Sequence, residues 1–271
     1  MRYFLFTVIA TILVALSLPS VAQKFEIKTV NFDSIRIETQ SPTSKYFFPK
    51  LMKEFQSNDT TMTFDQYRHF YYGYVFQEDY NPFRESPFSD MIESLYYKKE
   101  FTRAECDTIE KYAELSLNDN IFDLQQMEFY IFALKQKKKY ARAAIRQYRL
   151  NHIIAAILSS GNGTAENPWV VTSATHEYYI LNKLGYVAVE HKSMPNNIDF
   201  IAVKKKNDKS PEGFYFDASK IMEVADVKFV ECSPHAMAHC SRLYIHSAHC
   251  QCKTPISQQN NEYRRHSQHT H

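Results

Sequence analysis

Glycine is scarce in this chain, with five residues in 271. The one place where two glycines lie close together, Gly161-Asn162-Gly163-Thr164, lacks the Gly-Lys-Ser/Thr ending and the strand-then-helix setting of a phosphate loop, so it reads as a turn. No Gly-x-Ser-x-Gly nucleophile elbow occurs. His176-Glu177 starts like a zinc-protease helix, but that motif needs a second histidine at i+4, and position 180 is Ile. No cofactor-binding motif is found, and no cofactor is expected. Charge of one sign is lacking too: the formal net charge is +2, which gives no global case for binding nucleic acid or an anionic membrane. After Leu18 no apolar run is long enough to cross a bilayer. Cysteine is nearly absent from the body of the chain. Cys106 stands alone there, and Cys232, Cys240, Cys250 and Cys252 crowd the last forty residues.

The N-terminus carries an address. Met1-Arg2 supplies a short positive region, and the chain from Tyr3 to Leu18 is almost entirely apolar. Pro19 then breaks any helix, and Ser20-Val21-Ala22 places small residues where a signal peptidase reads. Cleavage is expected after residue 22, leaving Gln23 at the new N-terminus. The competing reading is an uncleaved anchor, against which Pro19 and the small-x-small site both weigh. No cysteine sits at the cut, so no lipid anchor is indicated. The expected product is exported to the periplasm or the medium, with no membrane span once the signal is removed.

Aromatic residues are the abundant class, at 15% of the chain, with 19 Tyr and 20 Phe against a single Trp. Many of these rings must be half-buried, and tyrosine suits positions with one wet edge. The stretch Phe25 to Ile37 alternates, and Ser41-Pro42-Thr43-Ser44 with Pro49 reads as irregular. Helix signals begin at residues 58–63. Thr63 and Gln66 have capping-box spacing, and Phe64, Tyr67, Tyr71, Tyr74 and Val75 follow as one apolar stripe. Tyr80-Asn81-Pro82-Phe83 and Ser86-Pro87 make a loop. Thr102 with Glu105 repeats the cap before Cys106, Ile109, Tyr112 and Ala113. Leu124 to Leu134 forms the next helix, and Ala141, Ala144, Ile145 and Tyr148 open another that runs to about Ser159. Short connections make these helices antiparallel neighbours, so the region reads as stacked helical hairpins. One unit loosely resembles a tetratricopeptide hairpin, but no second copy recurs at a spacing of about 34 residues. Lys135 to Lys139 and Lys204 to Lys206 are local basic runs that read as solvated turn ends.

After Gly163 the period changes. Pro168 to Thr172, Tyr186 to Glu190, Ile198 to Val203 and Gly213 to Asp217 read as strands, with a short helical segment from His176 to Leu184 closed by Gly185. Sequential strands with short links predict an antiparallel meander. The fold class is therefore α+β: N-terminal helical hairpins with a tetratricopeptide-like fragment, followed by a small antiparallel sheet. The expected organisation is a signal peptide (1–22), a mainly helical part (23–160), a β-rich part (161–230) and an atypical tail (231–271).

These residues carry a family resemblance across about residues 33–222. Its first block is Ser41-Pro42, Tyr46-Phe47-Phe48-Pro49, Asp59 to Thr63, Tyr67-Arg68, Tyr71-Tyr72-Gly73, Phe76-Gln77 and Tyr80-Asn81-Pro82. The second is Ser160 to Thr164, Asn167 to Val171, His176-Glu177-Tyr178, Leu181 and Leu184-Gly185, completed by Asp199 to Val203 and Tyr215-Phe216-Asp217. In these blocks the chain resembles the secreted Gram-negative bacterial proteins grouped as domain of unknown function 4919. The resemblance implies an exported protein of this architecture and carries no activity. Asn162 departs from the aspartate expected in its loop, which removes a carboxylate from any chemistry placed there.

Three sets of residues are candidates for function. His176, Glu177 and Asp199 could form a catalytic group at the junction of helix and sheet. The blander reading of His176-Glu177 is a helix-start pair with the carboxylate in the first turn. Asp59 with Asp65, or Asp199 with Asp217, could pair as acid and base, although caps and strand-edge carboxylates are commoner. Arg68 and Tyr72 belong to the densest polar-aromatic cluster, Tyr67 to Tyr74, and could grip a peptide or glycan from the floor of a groove. Their alternative is a core helix with Arg68 and His69 on its wet face.

The tail holds seven of the eleven histidines as well as its four cysteines. Cys232, His235, His239 and Cys240 are its candidate metal ligands, with His235 and His239 one helical turn apart. The spacing fits no zinc finger or ribbon, and apolar periodicity vanishes. A disordered extension or the product of a frameshift near Val230 is the preferred reading, and paired disulfides would leave Cys106 over. Two functions follow from the sequence. The first is a non-enzymatic exported module that binds a protein, peptide or glycan of the cell envelope. The alternative is a hydrolase-like enzyme at the helix–sheet junction.

Overall fold

Helix starts are where local chemistry is most explicit in this chain. A computed structural model describes residues 27–231 except 58, 59, 97, 206, 208 and 209, with backbone only for 226–231. In α1 (Phe32–Gln40) the Asn31 side chain accepts from the Ser34 amide at 3.0 Å. α3 (Phe64–Gly73) opens with the expected capping box. The Gln66 amide donates to Thr63 Oγ1 at 3.3 Å, and the Thr63 amide donates to Gln66 Oε1 at 2.9 Å. Thr102 and Glu105 repeat the arrangement at the start of α5 (Arg103–Asp119), at 3.2 and 2.8 Å. Asp123 caps α6 (Leu124–Gln136), accepting from the Gln126 amide. Each reciprocal box satisfies two amides that the first helical turn leaves orphaned.

Two N-terminal helices depart from the sequence reading. The alternation from Phe25 to Ile37 belongs partly to α1, where Ile35 and Thr39, four apart, face inward and Ile37 is 71% exposed. A period-two pattern in so few residues does not distinguish strand from helix. α2 (Phe48–Gln56) begins where an irregular segment was expected, with Pro49 in its first turn. Proline is tolerated there because the amide it lacks would have been unpaired. Phe48, Leu51 and Phe55 form its buried stripe.

α3 lies at the centre of the helical layer, packing against α1, α2 and α7 (Tyr140–Leu158). Tyr67, Phe70, Tyr71 and Tyr72 are fully buried, so this helix is enclosed nearly all round. Phe70 meets Phe55 at 4.9 Å, Phe122 at 5.1 Å and Phe48 at 5.2 Å between ring centres. α5, α6 and α7 stack in order through short connections, which gives the anticipated helical hairpins. The short α4 (Pro87–Asp90) packs on α5, and Cys106 is buried inside α5 as a free thiol.

The sheet contains β1 (Trp169–Val170), β2 (Ala188–Met194), β3 (Ile198–Val203) and β4 (Gly213–Asp217), in the order β1-β4-β3-β2. β2, β3 and β4 form the expected antiparallel meander. β1 pairs with β4 in parallel, so the sheet is mixed rather than wholly antiparallel. A parallel neighbour needs a long crossover, and the chain supplies it through α8 (Ala174–Lys183) and the β2–β3 hairpin. β2 starts two residues later than its pattern suggested and runs on to Met194. Asn196 and Asn197, both at positive φ, then reverse the chain, as asparagine tolerates. Gly163 has a φ of 75°, and a Cβ there would lie 2.6 Å from the Trp169 ring, so the Asn-Gly turn requires its glycine. Helices first and a small sheet second make the class α+β. The compact unit ends at Val224, within α9 (Ser219–Glu231). No described helix is long and apolar enough to cross a membrane. The predicted signal peptide, Asp59 and the Cys/His tail with Cys232, His235, His239 and Cys240 lie outside the described residues.

Candidate functional site

Arg68 and Tyr72 do not floor a groove. Both are buried, and both are committed to internal bonds. The Arg68 guanidinium donates to Ser159 Oγ and to the Lys28 carbonyl at 3.0 Å. Burial pulls its pKa down. Tyr72 Oη donates to the carbonyls of Ala156 and Val170 at 3.2 and 3.3 Å, and burial raises the phenol to about 12. These two side chains tie α3 to the end of α7 and to β1. The wet-face reading of Arg68 therefore fails, and the core-helix reading holds for the rest of that stretch.

His176 is likewise a core residue. Its Nδ1 meets Tyr71 Oη at 2.7 Å, and its Nε2 lies 2.8 Å from the Phe122 carbonyl. A carbonyl only accepts, so Nε2 carries the proton and Nδ1 accepts from the tyrosine. Burial lowers the imidazole to about 4, which keeps it neutral at physiological pH. The predicted trio of His176, Glu177 and Asp199 is thus split, because successive positions on α8 point in different directions. Asp217 stands apart as well, its carboxylate accepting from the amide and hydroxyl of Ser219. Asp65 pairs with Lys28 at 3.2 Å.

Glu177 and Asp199 do come together, and His191 takes the place expected of His176. Asp199, Ile201 and Val203 are the buried alternate positions of β3. Ser193 pairs directly with Asp199 and His191 with Ile201, so all four share the sheet face under α8. One donor atom each from Glu177, His191 and Asp199 lies within 4.8 Å of the others. His191 Nε2 is 3.2 Å from Asp199 Oδ1, and His191 Nδ1 is 3.2 Å from Tyr178 Oη.

The two carboxyls have opposite electrostatics. Glu177 is fully buried, with neither oxygen in a hydrogen bond of good geometry. Burial pushes its pKa up to about 9, and the adjacent Asp199 charge adds to the rise. Burial works on Asp199 in the same direction but is outweighed by the His191 and Ser193 hydrogen bonds and the His191 charge, so its pKa falls. At neutral pH the group is a protonated acid beside an ionised one, the split that acid–base chemistry uses. The sequence contained a signal for His191. The Pro195-Asn196-Asn197 turn sets the hairpin register, and the register puts positions 191 and 199 on one face. Tyr178 had no comparable signal.

On the other side of α8 lies a cleft of about 1050 Å³. Its walls are the 84–96 segment, the start of α6 and the outer positions of α8. Tyr96, Tyr178 and Tyr179 are among its lining residues. Tyr179 Oη donates to Glu128 at 2.9 Å, Lys183 also pairs with Glu128, and Gln126 donates to Tyr96 Oη. Glu85, Asp90 and Glu93 are exposed on the rim and enter no ion pair among the described residues. Arg84 is occupied by the carbonyls of Asp79 and Asp119. The cleft is polar and rich in carboxylates that no cation among the described residues pairs with.

Neither a curated protein nor a solved structure matches the chain. The family model described as a domain of unknown function, DUF4919, matches residues 33–226, which takes in the aromatic helical layer, the junction of α8 with the sheet and the cleft. The chain belongs to the DUF4919 family.

Proposed function

We propose that this chain is an exported, non-enzymatic binding module that holds an extended peptide bearing basic side chains in the cleft beside α8. The observation that carries the reading is a cleft lined by three exposed carboxylates, Glu85, Asp90 and Glu93, that enter no ion pair among the described residues, together with Tyr96, Tyr178 and Tyr179. Small-molecule pockets are predominantly apolar with few polar groups, and this cleft has the opposite balance. Exposed carboxylates attract lysine and arginine at long range, and tyrosines supply rigid area and hydrogen bonds at little entropic cost. The apolar N-terminal stretch and the Ser20-Val21-Ala22 site support export to the cell envelope, where the partner is met.

The test presents the purified mature chain to arrays of basic, acidic and neutral peptides, with a glycan array alongside. The expected result is salt-sensitive capture of Lys/Arg peptides that the double variant Asp90→Lys/Glu93→Lys loses. Equal capture by the variant, or preference for glycans alone, overturns the reading. A second reading, a hydrolase-like enzyme at the helix–sheet junction, draws support from the opposed pKa shifts of Glu177 and Asp199. Its test is a hydrolase substrate panel comparing the chain with Asp199→Asn, where equal or absent turnover removes it.

A further inference from the structure

We propose that Glu177, Asp199 and His191 are the protein ligands of a divalent first-row transition-metal ion at the junction of α8 with the β2–β3 hairpin. The inference is independent of the cleft. Three observations carry it.

The first is donor geometry. Metal–ligand bonds of about 2.1 Å put neighbouring donors about 3.0–3.4 Å apart around one ion. His191 Nε2 and Asp199 Oδ1 already stand 3.2 Å apart, and all three donors lie within 4.8 Å. Closing on an ion requires only a small inward movement of Glu177.

The second is the condition of Glu177. Its side chain has no exposure to solvent, neither carboxyl oxygen has a hydrogen bond of good geometry, and one of them lies within 4.8 Å of donor atoms of Asp199 and His191. A buried carboxyl without partners is costly, and buried charges are retained where they are paired or coordinate a metal. Placing a second carboxylate beside it makes the site worse for an anion and better for a cation.

The third is the surrounding shell. His191 Nδ1 is engaged by Tyr178 Oη at 3.2 Å, which leaves Nε2 directed at the carboxylates. Metal-bound histidines are oriented through their other nitrogen in this way. Ser193 supports Asp199 from the paired strand. His191 and Tyr178 are exposed, so an ion can enter from the β2 edge and keep water in its open positions. One imidazole nitrogen with two carboxylate oxygens suits manganese, ferrous iron or zinc, whereas soft ions want sulfur and calcium wants oxygen alone. Glu177 must ionise on coordination, so uptake releases a proton.

The test uses the full chain, stripped by chelator and titrated with Mn²⁺ under electron paramagnetic resonance, then with Zn²⁺ in competition. A parallel protein carries Cys232→Ser, His235→Ala, His239→Ala and Cys240→Ser, so that the tail is separated from the junction. One Mn²⁺ per chain, retained in the tail variant, is expected. His191→Ala and Asp199→Asn weaken it roughly a hundredfold or more and Tyr178→Phe about tenfold, because outer partners contribute less than ligands. His191 lies at the surface and Asp199→Asn is isosteric, and circular dichroism verifies that both retain the fold. No uptake of either ion, or uptake unchanged by His191→Ala and Asp199→Asn, overturns the proposal and leaves an acid pair sharing one proton.

Discussion

Glu110 on α5 makes one turn of the helical stack depend on pH. Lys137, Lys139 and Arg142 all converge on its carboxylate, with Lys139 and Arg142 at 2.9 Å. Lys137 also pairs with Asp107, and Arg142 continues to Tyr130 Oη at 3.0 Å. The Glu110 side chain is only 13% exposed. Burial works to raise its pKa, but the hydrogen bonds from Lys137 and Lys139 outweigh that and bring it from 4.5 to about 2. A fall of that size is worth about 3 kcal/mol at 1.36 kcal/mol per unit, before solvent screening. Screening at the surface reduces the expected cost of Glu110→Gln to about 1–2 kcal/mol at pH 7. Because the folded pKa is depressed, the stabilisation is complete above the unfolded value near 4.5 and disappears as pH falls through about 2. Urea unfolding of both proteins, followed by circular dichroism at pH 7, 4, 3 and 2, measures this. The two midpoints should differ most at pH 7, converge on acidification and approach each other in 1 M salt. Equal stability at pH 7, or a gap that widens in acid, refutes the reasoning.

Other perturbations test other levels of the account. Phe70→Ala empties the centre of α3 and should cost about 3–5 kcal/mol in chemical denaturation; a loss under about 1 kcal/mol contradicts the placement of this ring. Gly163→Ala forces an L residue to a φ of 75° against Trp169, so it should cost about 2–4 kcal/mol and quench or shift tryptophan fluorescence. An unchanged spectrum and melting temperature argue against that turn. N-terminal sequencing of the protein from an envelope fraction should begin at Gln23, whereas Met1 or Arg2 at the N-terminus removes the cleavage reading in favour of an uncleaved anchor.

Elements that announce themselves locally were legible in the sequence. Thr63/Gln66 and Thr102/Glu105 mark helix starts because a cap is a three-residue chemical arrangement. Leu124 to Leu134 reads as helix because its period persists for several turns. α1 and α2 were hidden because each is only nine residues, and because Pro49 acts as a helix start only in its tertiary setting. The parallel β1–β4 pair was also invisible, since no local pattern records which strand a chain returns to. Lys135 to Lys139 does lie at a turn, but the pattern suggests a solvated one, while Lys137 is 9% exposed because Asp107 and Glu110 meet it from α5. At the candidate site, residue type alone points to Glu177 and Asp199. His191 needed the hairpin register, and the inward turn of His176 needed Tyr71 and the Phe122 carbonyl, both more than fifty residues away in sequence. Arg68 illustrates the same limit, since charge suggests a wet face until the carbonyls of Lys28 and Thr29 are found beside it.

The central claim is that the carboxylate rim of the cleft recognises a basic peptide. The most direct measurement is titration calorimetry of the mature chain with a lysine-rich peptide at low and high salt, repeated with Asp90→Lys/Glu93→Lys. The account predicts binding that weakens as salt rises and falls at least tenfold in the double variant, with the fold intact. Binding that ignores both salt and the charge reversal, or no binding by the unaltered chain, contradicts it.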